Sequence, residues 1–147
     1  MTIYLGADHG GFELKNQLKA WLIEQGRQVE DCGALAFDPA DDYPDYAFAV
    51  AKKVAANPGS LGILSCRSGA GMVIAANKVS GIRAANAVSV QDTKFNRDHD
   101  DINVIAISGN WMQIEQAKEI VQVFLDTAFS QVERHVKRLA KIANFKN

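Results

Sequence analysis

Cysteine, proline and histidine are scarce in this chain, with two, three and three residues among 147. Cys32 and Cys66 stand apart and match no zinc or redox spacing. His9, His99 and His135 are scattered, with no His-x-x-x-His pair, so no metal site is expected. An excess of one charge is also lacking. Sixteen Lys and Arg face seventeen Asp and Glu, a net of −1, which offers no general attraction to nucleic acid or to anionic membranes. No apolar run approaches the length of a membrane span. The first residues enter a strand directly, without the basic segment and apolar run of a secretory leader. These absences lead to the expectation of a cytoplasmic protein with no cofactor, no nucleic-acid partner and no membrane attachment.

What is present is apolar residue, 48% of the chain. A single domain of this length buries roughly two-thirds of its unfolded surface. Short apolar runs at Ile3–Gly6, Gln28–Cys32, Leu61–Ser65, Ile82–Ala87 and Val104–Ile107 read as five strands. Helical patterns fall between and after them, over Phe12–Gln25, Pro44–Ala56, 70–78, Val90–Arg97, Gln113–Thr127 and about 131–143. Alternation of this kind predicts an α/β domain spanning 1–147, with a parallel sheet covered on both faces. In the third helix the spacing places Ala70, Val73, Ile74 and Asn77 on one face. In the last, Val132, Val136, Leu139 and Ala143 form a stripe suited to packing across a subunit boundary.

Right-handed crossovers bring every strand-to-helix turn to one edge of the sheet. Asp8-His9, Cys66 with Gly69 and Gly71, and the segment after Ile107 therefore converge where open α/β sheets bind ligands. Unpaired amides at the start of the helix after Cys66 favour an anion, and the same positive helix end favours a thiolate. Cys66 then reads either as a base beside an oxyanion site or as a small buried hydrophobe. Asp8 reads as a helix cap or as a site carboxylate. His99, in a loop among aspartates, reads as a proton shuttle or as a solvated ring. Arg134 and Arg138, four residues apart, share a helix face that either grips a phosphate or simply faces water.

Six motifs in order resolve these alternatives by resemblance. They are Gly6-Ala7-Asp8-His9-Gly10-Gly11-Phe12-x-Leu14-Lys15; Asp42-Tyr43-Pro44-x-Tyr46-Ala47; Cys66-x-Ser68-Gly69-x-Gly71 leading to Ile74-Ala75-Ala76-Asn77-Lys78; Gly81-Ile82-Arg83-Ala84; His99-x-Asp101-x-Asn103-Val104; and Arg134-His135-x-x-Arg138. Together they resemble the B-type ribose-5-phosphate isomerases and their galactose- and allose-phosphate isomerase relatives, over nearly the whole chain. The resemblance implies a single-domain Rossmann-like three-layer α/β/α fold with a five-stranded parallel sheet. It also implies a metal-free aldose–ketose isomerase acting on a sugar phosphate, as a homodimer or dimer of dimers with shared sites. The matching residues would take these roles: Cys66 the base, amides around Gly69 to Gly71 the oxyanion donors, and Asp8 with His99 the ring-opening pair. Ser68 would touch the reacting oxygens, Tyr43 would line the sugar pocket, and His9, Arg134 and Arg138 would hold the phosphate.

Three positions depart from the family's pattern. Arg67 stands where glycine is usual, Asp100 where an amide is usual, and Asn110 where an arginine is usual. The reaction class is expected to stand while the preferred sugar shifts, with ribose 5-phosphate first and a tetrose or hexose phosphate as the alternative. A non-catalytic sugar-phosphate or nucleotide binder is the rival from another class. Retention of Cys66, Asp8 and His99 weighs against it, because binding alone needs no base.

Overall fold

The computed structural model describes residues 1–145; the expected single-domain span of 1–147 includes Lys146 and Asn147, which lie outside the described residues. Eleven elements follow in order: β1 Thr2–Ala7, α1 Phe12–Glu24, β2 Gln28–Asp31, α2 Tyr43–Ala56, β3 Leu61–Cys66, α3 Ala70–Ala76, β4 Ala84–Asn86, α4 Val90–Asp100, β5 Val104–Ser108, α5 Ile114–Asp126 and α6 Glu133–Ala143. The strands form one parallel sheet in the order β2-β1-β3-β5-β4.

Strand periodicity of two divides the core between the sheet's faces. Ile3, Leu5, Ile63, Ile105 and Ile107 point to one face and pack with Leu14, Leu18 and Leu22 of α1 and with Ala117, Ile120, Val121 and Phe124 of α5. Tyr4, Leu64, Cys66, Val104 and Ala106 point to the other and pack with α2 and α3. The helix after β1 thus covers one face and the helix after β3 the other. That divergence between neighbouring strands opens a crevice at their carboxyl ends, the switch point where α/β sheets bind ligands.

Three expectations change. β4 is a three-residue edge strand rather than the run Ile82–Ala87, because Ile82 turns back and donates its N–H to Val79. The Asn77 side chain bonds both the N–H and the C=O of Ala84, standing in for a neighbouring strand. α3 is only seven residues and buries Met72, Ala75 and Ala76 against α2 and the sheet. The face expected from Ala70, Ile74 and Asn77 is therefore the outer one, with Ile74 64% exposed. Finally α4 runs on to Asp100, so His99 lies on a helix and not in a loop; Asp101 ends it in the left-handed region at φ 45°.

One buried ion pair ties the edge of this fold together. Lys15 on α1 is 1% exposed and donates to both oxygens of Asp31 and to the Ala34 carbonyl, while Lys19 also donates to Asp31. Burial pushes the Asp31 carboxyl up, but hydrogen bonds from Lys15, Lys19 and the Gly33 amide outweigh it and hold it below its ordinary value. Its stabilisation is thus present above the unfolded carboxylate pKa and is lost as pH falls below about 4. Asp31→Asn leaves Lys15 buried without a counter-charge, and the expected loss at pH 7 is about 3–5 kcal/mol. Urea denaturation at pH 7 and at pH 3.5 checks this: the gap between wild type and variant is expected to narrow in acid.

Candidate active site

The crevice is built from three turns held in close contact. A Cβ on Gly109 would meet the Gly10 carbonyl, and one on Gly11 would meet the backbone of Ser65. The Gly109 amide donates to the Cys66 carbonyl, and the Asn110 amide and Ser108 hydroxyl donate to that of Arg67. The loops after β1, β3 and β5 therefore form one shelf, and the shelf carries the polar groups.

Asp8 is 5% exposed, and its Oδ1 accepts the amides of Gly10 at 2.9 Å and Gly11 at 3.2 Å. These bonds hold the turn that leads from β1 into α1. Burial raises the Asp8 carboxyl above its ordinary value, against the pull of the Gly10 amide and His9. A carboxyl so raised is better matched to exchanging protons near neutral pH than an exposed aspartate. His9 turns to Asp41, whose Oδ1 lies 2.7 Å from His9 Nδ1 and accepts the His9 amide at 3.0 Å.

Cys66, the last residue of β3, is 5% exposed, and its Sγ accepts the Gly69 amide at 3.1 Å. Gly69 reaches that position in the left-handed region at φ 85°, which a side chain would strain. The amide is the kind of donor a sulfur anion accepts. The next amide, of Ala70, donates to Ser68 Oγ at 3.3 Å. Of the loop's donors, two are thus engaged internally, and the long Ala70 bond is the one a ligand oxygen displaces at least cost. The ring of Tyr43, first residue of α2, lies over Gly71, where a Cβ would come within 2.7 Å of it. The aliphatic stem of Arg67 lies against Gly10.

Asp8, His9, Tyr43, Cys66, Arg67, Ser68, Gly69, Gly71 and Asn110 thus share one edge of the sheet. His99, Asp100, Arg134 and Arg138 do not. α4 runs from the carboxyl edge back to the start of β5, so its last turn lies at the opposite edge. Strands of this length put roughly 15–20 Å between the two edges. There His99 stacks between Phe95 at 3.9 Å and His135 at 4.3 Å, and Ser130 Oγ lies 2.8 Å from His135 Nδ1. His135, 3% exposed, is held below its ordinary value by burial and then by the nearby charges of His99, Arg134 and Arg138. The arginines paired with carboxylates are Arg27, Arg83 and Arg97. Among the described residues Arg67, Arg134 and Arg138 have no such partner; in the second cluster Asp98 Oδ2 lies 3.2 Å from His99 Nε2, and Arg134 Nε donates to His135 Nε2. The candidate residues of one chain therefore lie in two groups at opposite edges of the sheet.

Asp41 is the residue the sequence reading missed. It lies in an aspartate-rich loop with no periodicity to single it out, and only the fold shows that it meets His9, 32 positions away. Asp8, His9 and Asp41 each place one possible ligand atom within 4.8 Å of the others. Oδ1 of each carboxylate is already taken by amide or ring donors. A cavity of about 390 Å³ at the amino edge, beside Arg83, Arg97 and Asp101, holds none of these groups.

The fold is an open-sheet α/β domain whose carboxyl edge gathers a thiol, a buried carboxylate and backbone amides. A family model described as Ribose/Galactose Isomerase matches residues 3–142, and the chain belongs to that family and is an isomerase. Among its relatives, ribose-5-phosphate isomerase B of Mycobacterium tuberculosis is 43% identical over 99% of this chain and 90% of its own length. A probable ribose-5-phosphate isomerase B of Mycoplasma pneumoniae is 46% identical over 95% of this chain and 91% of its own. In structure, ribose-5-phosphate isomerase B of Mycoplasma genitalium with bound ribulose-5-phosphate matches with a TM-score of 0.92 at 40% identity, covering 97% of this chain and 93% of that one. The Thermotoga maritima enzyme matches at 0.93 with 38% identity, over 98% of both chains. Among the described residues no helix is long and apolar enough to cross a membrane.

Proposed function

We propose that this isomerase interconverts ribose 5-phosphate and ribulose 5-phosphate through an enediolate, in the cytoplasm, as a homodimer or dimer of dimers whose sites each draw on two subunits. The observation that carries the reaction is the thiol of Cys66 at the switch point with an amide on its sulfur and Asp8 on the same shelf. Asp8 and the His99 of a second subunit open the furanose ring, one taking the proton from the O1 hydroxyl and the other giving one to the ring oxygen. The Cys66 thiolate then takes the proton from C2 of the open aldose. Charge develops on the substrate oxygen, which displaces Ser68 from the Ala70 amide and is stabilised by that fixed donor. The O2 hydroxyl proton passes to O1, with Ser68 beside the reacting oxygens, and return of the carbon-bound proton to C1 gives the ketose with no net gain or loss of atoms or electrons. Tyr43 walls the sugar, and His9 with Arg134 and Arg138 of the second subunit hold the phosphate.

Sharing between subunits is supported by the separation of the half-sites and by α6. Among the described residues, Val132 at its N-cap and Val136 and Ile142 on the helix stay exposed, at 46%, 44% and 64%. Ile74 and Phe95 are also more than half exposed.

A panel of aldose and ketose phosphates of four to six carbons tests the substrate, with ribose 5-phosphate expected to give the highest kcat/KM. The rival reading as a pure binder would show affinity without isomerisation of any of them. Arg138→Ala is expected to raise KM for the phosphorylated sugar by about ten- to a hundredfold. A charge-assisted hydrogen bond contributes about 1.5–3 kcal/mol, and about 1.4 kcal/mol is tenfold. The phosphate does not react, so kcat is expected to change far less. Arg67→Gly is the companion: a weakened KM of the same kind places Arg67 on the phosphate in place of the arginine absent at Asn110. A shifted preference among sugars would instead make Arg67 a determinant of chain length.

A further inference from the structure

We infer that Asp41 is a positioning residue for His9, locking its ring in one orientation and one tautomer so that Nε2 alone is presented to the ligand's phosphate. The inference rests on the phosphate role given to His9 above. Two contacts converge on a single carboxylate oxygen: Asp41 Oδ1 accepts the His9 amide at 3.0 Å and lies 2.7 Å from its ring Nδ1. Backbone and ring of the same residue are thereby tied to one point, which removes rotation about both side-chain torsions. The Asp41 side chain is 5% exposed, whereas the ring of His9 is 23% exposed and open on its other side.

The carboxylate is held as a carboxylate. Burial raises it, but the His9 amide, the His9 ring and the Tyr46 hydroxyl together hold it below its ordinary value. Tyr46 lies close enough to bias Asp41, and Asp41 in turn raises the Tyr46 phenol after burial does. Even so, Asp41 Oδ2 is sealed from solvent without a partner in good hydrogen-bond geometry. An ionised carboxylate only accepts, so Nδ1 must carry the proton. That leaves Nε2 as the ligand-facing nitrogen. An ionised phosphate oxygen also only accepts, so Nε2 can donate to it only when it too is protonated. The buried charge of Asp41 accompanies that second proton and offsets its cost beside the ligand. The other charge coupled to the ring is that of Asp8 on the same turn.

A merely structural aspartate would be replaced without functional effect by asparagine, whose side-chain oxygen can accept both bonds. Charge therefore decides the matter. In Asp41→Asn, inhibition by inorganic phosphate is expected to weaken about tenfold and KM for ribose 5-phosphate to rise by a similar factor, with kcat changed less than about threefold. Asp41→Ala, which also frees the ring, is expected to lower kcat as well. Nitrogen-15 NMR of the His9 ring, assigned with His9→Gln, reads the same state without any sugar. With saturating inorganic phosphate at pH 7, both ring nitrogens are expected to be protonated in wild type and only one in Asp41→Asn. Unchanged phosphate inhibition and an unchanged ring spectrum in a folded Asp41→Asn protein would overturn the inference. Because the NMR measurement requires no turnover, it separates failure of this inference from failure of the isomerase reading.

Discussion

Cys66→Ala is expected to reduce kcat for the isomerisation by about 10²–10⁴-fold, the range for loss of a positioned acid–base group. The thiol combines burial, a fixed amide donor and a place on the shelf shared with Asp8. Removing Sγ leaves a small void and a free Gly69 amide, not a disrupted core, since Cys66 lies at the end of β3 rather than in its middle. Substrate binding is therefore expected to survive, and equilibrium dialysis with the sugar phosphate should give an affinity within a few fold of wild type. Cys66→Ser is the sharper control. It keeps the hydrogen bond and nearly the volume, but its hydroxyl is a far weaker acid than a thiol. If sulfur acts as the base, serine fails almost as badly as alanine; if Cys66 only fills space, serine retains most of the turnover. Near-normal kcat in both variants would return Cys66 to the role of a buried hydrophobe.

The fold was legible wherever a single element decides its own burial. Leu14, Leu18 and Leu22 of α1 and Ala117, Val121 and Phe124 of α5 show helical spacing and bury as that spacing demands. Their helices are long enough for the pattern to dominate. α3 is two turns long, and such a helix can present either of two apolar faces. Its packing is set by α2 and the sheet, which choose Met72, Ala75 and Ala76 over Ile74. Lys15 shows the same limit for charge. Nothing local marks a lysine as buried, and only the meeting of α1 with the end of β2 supplies Asp31 and the Ala34 carbonyl. The site divides in a similar way. Asp8, His9 and Cys66 follow strands directly, so the crossover rule alone brings them to one edge. Asp41 comes from a loop whose path no periodicity reports. The place of His99 follows from the same rule once α4 is seen to reach Asp100, because a helix that ends at the amino edge cannot serve a site at the carboxyl edge of its own chain.

That separation gives the prediction with the largest contrast, recovery of activity from two dead proteins. Cys66→Ala destroys the half-site at the carboxyl edge, and His99→Ala destroys the half-site at the amino edge. In the shared-site arrangement each homodimer carries only damaged sites. A mixed dimer instead pairs the intact carboxyl edge of one chain with the intact amino edge of the other, leaving one whole site and one doubly damaged one. Random exchange at equal concentrations makes half the dimers mixed, so about a quarter of wild-type activity is expected to return, as the pairing of a closed two-fold dimer requires. The measurement is turnover after the two purified variants are mixed under mild dissociating conditions and returned to buffer. Mixing Cys66→Ala with Asp8→Asn is the internal control, because both residues lie on the same edge. Each mixed dimer then has one damage in each site, and no recovery is expected. Recovery in the control equal to that in the test pair would point to reactivation of the individual proteins. Absence of recovery in both, with mixed dimers shown to form by mass spectrometry, would mean that His99 does not complete the site of the facing subunit. The half-sites would then have to meet by rearrangement within one chain, across a sheet whose strands hold them roughly 15–20 Å apart.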